Sequence, residues 1–180
     1  MLSLLSGNKV VLRAIEPEDL DFLYECENNT EIWRISNTLS PFSRYILKLY
    51  IQNSHKDIYE NKELRLIIVK KEDEKQQLGA IDLFDFDPYN MRAGIGILIN
   101  RESDRNKGYA ADALKVMIKY SFSYLKLHQL YCNISESNSK SIALFEKVGF
   151  VKCGEKKEWQ KSPNGWEAEL MFQLINGMIS

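Results

Sequence analysis

The sequence changes from a strand pattern to a helix pattern at Arg105-Asn106-Lys107-Gly108-Tyr109-Ala110. Residues 93–100 before it are apolar and strand-like. After it, apolar residues recur every three or four positions, which predicts a long helix with one buried face. The first N–H groups of a helix lack intrahelical partners, the helix dipole makes that end positive, and a glycine lets a phosphate approach the backbone. The stretch therefore suits a phosphate or pyrophosphate, although a charged loop that only opens a helix gives the same pattern.

A second motif lies one predicted helix and one predicted strand further along the chain. Residues 138–150 read Asn-Ser-Lys-Ser-Ile-Ala-Leu-Phe-Glu-Lys-Val-Gly-Phe, which predicts a short helix that begins at Asn138 and ends before Gly149. Strand-like segments flank both motifs, so the predicted order of elements is β α α β β β α β α β β. Mixed order of this kind predicts an α/β or α+β domain in which helices cover a sheet.

The two motifs, in this order and at this separation, resemble the cofactor-binding motifs of the GNAT family of N-acetyltransferases. The resemblance covers nearly the whole chain and implies a mixed, mostly antiparallel sheet of about seven strands with about four helices, splayed after the fourth strand. It also implies acetyl-CoA as co-substrate. The branch that is most similar contains the ribosomal-protein N-terminal acetyltransferases and the spermidine/diamine acetyltransferases: Gly79-Ala80-Ile81-Asp82-Leu83 is similar to the spermidine enzymes, whereas Ser141 and Phe145 favour the other group.

The composition predicts a single domain over residues 1–180. Hydrophobic residues make up 44% and charged residues 27%, and a formal net charge of -1 argues against a nucleic-acid partner. No signal-peptide pattern and no run of about 18 apolar residues is found, so we expect no membrane partner and a cytoplasmic location. Three cysteines without metal-type spacing predict reduced thiols, and two histidines without fixed spacing predict no metal site.

Several segments outside the two motifs give local expectations. Residues 31–39 fit no regular period, and residues 40–59 predict one helix opened by Ser40-Pro41. Residues 71–76 predict a charged hairpin loop. In the last strand, apolar residues alternate with Glu167, Glu169 and two further residues, which predicts a half-buried strand.

The resemblance implies which residues bind the cofactor. The backbone of the 105–110 turn would hold the pyrophosphate, with charge added by two of its side chains. The fourth strand would run beside the pantetheine arm and offer an N–H to the thioester oxygen, and Asn138 would bind that arm or cap its helix. The expected cofactor-binding residues are Ile97, Leu98, Ile99, Arg105, Asn106, Lys107, Gly108, Tyr109, Ala110, Asn138, Ser141, Phe145 and Lys147.

The acid that assists the leaving thiolate is predicted to be Ser141. Many family members carry a tyrosine where this chain has Phe145, and phenylalanine has no proton to donate. The ribosomal-protein branch instead has a serine four residues earlier, where this chain has Ser141. A serine in the helix cap region without any chemical role is the alternative reading.

The general base is predicted to be Asp82 or Asp85, acting through water. Related enzymes often have a glutamate at the position of Gly94, so this chain lacks that candidate. Glu158 and Glu31 are weaker choices, and any single one of these acids is more often a solvated surface carboxylate.

These features predict an acetyl-CoA-dependent N-acetyltransferase in which a primary amine attacks the thioester directly in a ternary complex. The acceptor is expected to be a polyamine, a protein N-terminus or another small amine, and relatives of this kind are commonly homodimers. A non-catalytic acyl-CoA-binding sensor of the same fold is the alternative. A nucleotide-binding protein is disfavoured, because the turn has neither the P-loop nor the dinucleotide-binding glycine spacing.

Overall fold

A seven-stranded sheet forms the centre of the molecule. The computed structural model describes residues 4–177. The strands are Val10–Arg13 (β1), Leu64–Lys70 (β2), Asp73–Asp87 (β3), Arg92–Ile99 (β4), Gln129–Ser135 (β5), Val151–Ser162 (β6) and Gly165–Ile175 (β7). Their order across the sheet is β1-β2-β3-β4-β5-β7-β6, and neighbours are antiparallel except for β4 and β5. The predicted mixed, mostly antiparallel sheet is confirmed.

Six α-helices connect the described strands, where about four were expected. They are Leu20–Glu27 (α1), Thr30–Ser36 (α2), Arg44–Asn53 (α3), Ile58–Asn61 (α4), Tyr109–Lys119 (α5) and Ser139–Lys147 (α6). One π-helical turn, Tyr120–Tyr124, extends α5. Within residues 4–177, none of the helices combines the length and apolar character that crossing a bilayer requires.

The sheet opens between β4 and β5. These parallel strands pair only at Arg92 with Gln129, Ala93 with Leu130 and Gly94 with Tyr131. Beyond these pairs β5 continues beside β7 and β4 beside β3, so the described strands leave a fork between them. The predicted splay after the fourth strand is confirmed.

Helices cover both faces of the sheet. On one face, called the α5 face, residues of α5 and α6 such as Leu114 and Phe145 join the larger apolar core. On the other, called the α1 face, Phe22 of α1 packs in a smaller core with Ile67 of β2, and α3 adds Tyr50. Directly paired residues share a face, and consecutive residues of a strand alternate. The register therefore tells which side chains surround the fork on each face.

Two helix predictions were wrong. The segment expected to be irregular forms α2, which the Asn29 side chain caps by accepting the Glu31 N–H at 3.1 Å. The single helix expected over residues 40–59 is two helices, because Ser43 caps the start of α3 and Asp57 caps the start of α4. Helices of four to ten residues are too short for their period to stand out, and the caps alone mark their ends.

Two strand predictions also need correction. The expected six-residue loop at 71–76 is only a two-residue turn, because β3 already begins at Asp73. In β7, Glu167 and Glu169 are both buried, since other parts of the chain cover the polar side of the strand as well. Buried carboxylates require partners, and both glutamates have them.

Candidate functional site

The turn between β4 and α5 has the backbone of an anion site. Asn106 and Gly108 both adopt positive φ, 61° and 84°. Among the described residues, no hydrogen-bond acceptor is found for the backbone N–H groups of residues 106–111, whereas the next N–H, of Asp112, donates to the Gly108 carbonyl at 3.1 Å. Successive free N–H groups at the positive end of a helix form a cradle for phosphate oxygens.

The two cations predicted in this turn have different positions. Arg105 bends inward, and its guanidinium donates to the carbonyls of Ile99 at 3.2 Å and Asn100 at 3.1 Å. It therefore fastens the turn to the end of β4. Lys107 is exposed, with its ammonium 3.8 Å from the Asp104 carboxylate, and its charge is available to an anion.

A third cation, Lys9, reaches the same turn from the start of β1. Its ammonium donates to the Lys107 carbonyl at 2.7 Å. A Cβ added at Gly108 would lie 3.2 Å from that ammonium, so the lysine occupies the space beside the glycine. Asp112 holds the two segments together by accepting the N–H groups of Asn8, Lys9 and Val10 at 2.7–3.1 Å. Lys9 was missed from the sequence, because only the fold brings it within reach of a turn that lies 98 positions later.

The edge of β4 beyond Gly94 faces the fork. Ile97 and Leu98 are half-buried and Ile99 is buried, and this stretch is paired on its β3 side. The described residues provide no strand partner on the other side. Apart from the Ile99 carbonyl, which accepts a hydrogen bond from Arg105, this edge has no strand partner among the described residues and could pair with an extended molecule.

The first turn of α6 lies at the mouth of the fork, just after β5 ends. Asn138 caps the helix by accepting the Ser141 N–H at 3.2 Å, and its amide nitrogen can still donate. Ser141 is half-buried in the same first turn of the helix. Phe145 points into the core and packs edge-on against Phe150 at 5.1 Å, while Lys147 is exposed at the far end of the helix. Asn138 and Ser141 therefore lie together, and Phe145 and Lys147 lie apart from them.

Gly94, at the base of the fork, makes room for side chains from both neighbouring strands. A Cβ on Gly94 would overlap the Phe84 ring, and that ring packs edge-on against Tyr131 of β5. A β-bulge follows Phe84, and there Asp85 adopts a φ of 49°. The carboxylate of Asp85 thereby accepts the Tyr131 hydroxyl at 3.3 Å. The glycine thus serves protein packing on the α1 face.

Tyr131 joins the site as a residue that sequence reasoning missed. Burial and the neighbouring Asp85 raise the pKa of its phenol, so the hydroxyl stays protonated and acts as a hydrogen-bond donor. Tyr131 stands in an ordinary apolar strand pattern, and only the pairing with Gly94 reveals its place at the fork.

Asp82 is paired with a cation. Arg65 donates to both of its carboxylate oxygens, at 2.7 and 3.0 Å, and to Glu27 at 2.6 Å. Burial lowers the pKa of Arg65, but the two carboxylates and Tyr50 raise it well above its ordinary value. The guanidinium remains charged and binds both carboxylate oxygens of Asp82, which fixes the orientation of that carboxylate.

A surface cleft of about 550 Å³ borders the turn on its α1 side. Its lining includes Glu25 and Glu31 from α1 and α2, and Arg101, Glu102 and Arg105 from the segment that follows β4. The cleft gives access from solvent to the end of β4 and contains both carboxylates and arginines.

A family model supports the acetyltransferase interpretation. The model described as "Acetyltransferase (GNAT) domain" matches residues 9–151, which is most of the chain.

Two curated relatives give more detail. A spermidine N(1)-acetyltransferase of Escherichia coli (strain K12) is 29% identical over 150 residues, which are 83% of this chain and 77% of the relative. The enzyme of the same name from Vibrio cholerae is 28% identical over 148 residues, 82% of each chain.

Solved structures show the same fold. The spermidine N-acetyltransferase of Vibrio cholerae in complex with CoA and spermine superposes with a TM-score of 0.79 at 25% identity, over 92% of this chain and 95% of the other. A dodecameric structure of that enzyme gives a TM-score of 0.74, also at 25% identity, and covers 92% of this chain and 93% of the other.

Proposed function

Because the chain belongs to the acetyltransferase (GNAT) domain family and is an acetyl-CoA-dependent N-acetyltransferase, we propose that its acceptor is a polyamine of the spermidine type. The acceptor proposal depends on carboxylates on the two sides of the fork: Asp82 and Asp85 on one side, where Asp85 contacts Tyr131, and Glu167 on the other, where it shares Arg34 with Ser137. Carboxylates in this arrangement attract a polycation. The names of the two spermidine acetyltransferases point in the same direction.

The cofactor site uses groups that the structure leaves free. Acetyl-CoA supplies an activated acetyl thioester when bound. The N–H groups of residues 106–111 would hold its pyrophosphate, with Lys107 and Lys9 adding positive charge. The unpaired edge of β4 at Ile97, Leu98 and Ile99 would align the pantetheine arm and direct an N–H at the thioester oxygen.

We assign proton transfer to groups on opposite sides of the fork. Ser141 would donate a hydrogen bond to the leaving sulfur, because it is half-buried and lies beside the Asn138 cap in the first turn of α6, at the mouth of the fork. Asp85 would accept the amine proton through water, with Tyr131 fixing the orientation of the carboxylate. Asp82 remains the second candidate for the base, although its pairing with Arg65 suits it better to positioning.

Replacing Ser141 by alanine is expected to lower kcat about tenfold, since one hydrogen-bond donor to the leaving group is lost. The KM for acetyl-CoA should stay within about twofold, because the pyrophosphate site and the Asn138 cap are unchanged. Steady-state kinetics with saturating spermidine measure both constants, and Ser139→Ala, an exposed serine on the same helix, is the matched control. An unchanged kcat in Ser141→Ala would leave the serine with no role beyond its place in the helix.

The acceptor class can be tested by competition. We expect kcat/KM for spermidine or spermine to exceed that for short peptides with free N-termini by about tenfold or more, and the difference to shrink at high salt as the carboxylates are screened. Putrescine and an aminoglycoside complete the panel, and mass spectrometry of an equimolar mixture identifies the acetylated amines. A preference for peptides would move the enzyme to the N-terminal acetyltransferase group.

We also propose that residues 1–180 form one N-acetyltransferase domain, since all seven strands, from β1 to β7, belong to one sheet. The cytoplasmic location expected from the sequence is part of this proposal. So is a homodimer; the dodecameric Vibrio cholerae relative supports self-association in general. Light scattering at several protein concentrations would measure the assembly.

A further inference from the structure

A buried carboxylate on the α1 face is occupied by a cation from the chain itself. The side chain of Glu167 in β7 is only 8% exposed, and it forms an ion pair with Arg34 of α2. The same guanidinium donates to the Ser137 hydroxyl at 3.2 Å, and Ser137 accepts or donates at 3.1 Å to Ser135 at the end of β5. Ser137 directly precedes the Asn138 cap, so this anion lies beside the mouth of the fork.

The element that supplies the cation is weakly held. α2 has seven residues and no buried side chain. The segments before and after α2 are hydrogen-bonded to each other: the Asn28 side chain donates to the Phe42 carbonyl at 3.0 Å and accepts the Phe42 N–H at 2.8 Å. Within this segment, the Trp33 indole N–H donates to the Glu27 carbonyl at 2.8 Å, and Arg34 forms the ion pair with Glu167. Arg34 thus fastens a closed loop over the α1 face.

We propose that Glu167 is the binding residue for a second ammonium group of the polyamine acceptor, and that Arg34 occupies this subsite until the acceptor displaces it. This inference rests on the proposed function and names the residue that distinguishes a polycation from an acceptor with one charge. The carboxylate and the two serine hydroxyls form a set of acceptors that suits an ammonium as well as a guanidinium. Hydrogen bonds from Ser137 and Ser135, together with Arg34, lower the pKa of Glu167 despite its burial, so the carboxylate is ionised.

The pair differs from the other arginine–carboxylate cluster on this face. Arg65 lies within the sheet, where its partner Asp82 is on the adjacent strand, and both side chains are about equally covered. Arg34 is 46% exposed, whereas Glu167 is almost fully covered. If the pair separates, water can solvate the Arg34 guanidinium at low cost in free energy, but the buried Glu167 carboxylate needs another cation as a partner. Displacement of Arg34 by an acceptor ammonium supplies that cation and frees α2.

The test compares two opposite substitutions by steady-state kinetics. In Glu167→Gln the KM for spermidine should rise about tenfold while kcat changes less than about twofold, because the anchor is lost and the reacting groups are not. In Arg34→Gln the KM for spermidine should fall severalfold, because the competing cation is gone. For propylamine, which has one ammonium, Glu167→Gln should leave KM unchanged.

A matched control uses an ion pair far from the fork. Glu155→Gln breaks the pair between Glu155 and Lys152 on the outer strand β6, at 2.9 Å, and should alter neither constant. Melting temperatures of all variants, with and without spermidine, are recorded beside the kinetics. Spermidine should raise the melting temperature of Arg34→Gln more than that of the wild type.

Two results would overturn the inference. The first is an equal rise of the spermidine KM in Glu167→Gln and Arg34→Gln, which would show that the ion pair only stabilises the structure. The second is an unchanged spermidine KM in Glu167→Gln while the wild type turns spermidine over. Failure of the proposed function would look different, since the wild type itself would then show no polyamine turnover.

Discussion

Replacing Gly108 by valine is expected to weaken acetyl-CoA binding by roughly one to two orders of magnitude. Gly108 adopts a φ of 84°, which is strained for a β-branched residue by about 1–3 kcal/mol. The new side chain would also meet the Lys9 ammonium, which lies 3.2 Å from where a Cβ would stand. The turn would adopt another conformation in the free protein. Returning it to the conformation that binds the pyrophosphate costs free energy, and this cost weakens binding.

Titration calorimetry with acetyl-CoA measures this loss directly. Gly165→Val is the matched control, because Gly165 also has positive φ, 125°, but lies in the β6–β7 hairpin with open space around it. That variant should keep the affinity of the wild type for acetyl-CoA. An unchanged dissociation constant in Gly108→Val would mean that the turn does not bind the cofactor.

Replacing Asp19 by asparagine is expected to lower the free energy of unfolding by roughly 3–5 kcal/mol, because it leaves a partly buried arginine without its counter-charge. Asp19 is 1% exposed and accepts two hydrogen bonds from Arg13, at 2.7 and 2.8 Å, one from Gln77 and one from the Glu16 N–H. These contacts join β1, β3 and the turn that leads into α1. At about 2–4 °C per kcal/mol for a chain of this size, the melting temperature should fall by roughly 10 °C.

The effect should also depend on pH. Burial raises the pKa of Asp19, but the hydrogen bonds from Arg13, Glu16 and Gln77 outweigh it and lower the pKa below the ordinary value of 3.8. A depressed pKa means that the stabilisation is complete above the ordinary value and is lost as the pH falls through the folded-state pKa. The difference between wild type and Asp19→Asn should therefore be constant from roughly pH 5 to 8 and shrink in acid.

Denaturant titrations at several pH values measure this difference. Asp21→Asn is the control, since Asp21 is 81% exposed and its ion pair with Arg44 should contribute about 0–1 kcal/mol. Equal stabilities of Asp19→Asn and Asp21→Asn would show that the buried network does not hold β1 to α1.

The parts of the site that lie within one continuous stretch could be predicted from the sequence. The turn at residues 105–110 is encoded by a strand pattern, a glycine and a helix pattern that follow one another, and the Asn138 cap is equally local. The assignments of cofactor and catalytic roles to these residues remain predictions. The location of the fork also followed from motif order through the resemblance to the family.

The remaining features depend on contacts between distant parts of the chain. Lys9 meets Lys107, Arg34 meets Glu167 and Tyr131 meets Asp85 only after the sheet has formed. No periodicity encodes such pairs. The glutamates of β7 were expected on the polar side of a half-buried strand, but the alternation says nothing about what covers that side, and their cationic partners lie elsewhere in the sequence.

The most direct test of the central claim is the rate at which free CoA thiol is released from acetyl-CoA by the wild-type protein, with and without spermidine. We expect release that requires spermidine, saturates with its concentration, and yields N-acetylspermidine in equal amount to the thiol. Release at the same slow rate whether or not an amine is present would contradict transfer to an amine. Absence of both release and acetyl-CoA binding would contradict the assignment of the fork and the 105–110 turn as the cofactor site.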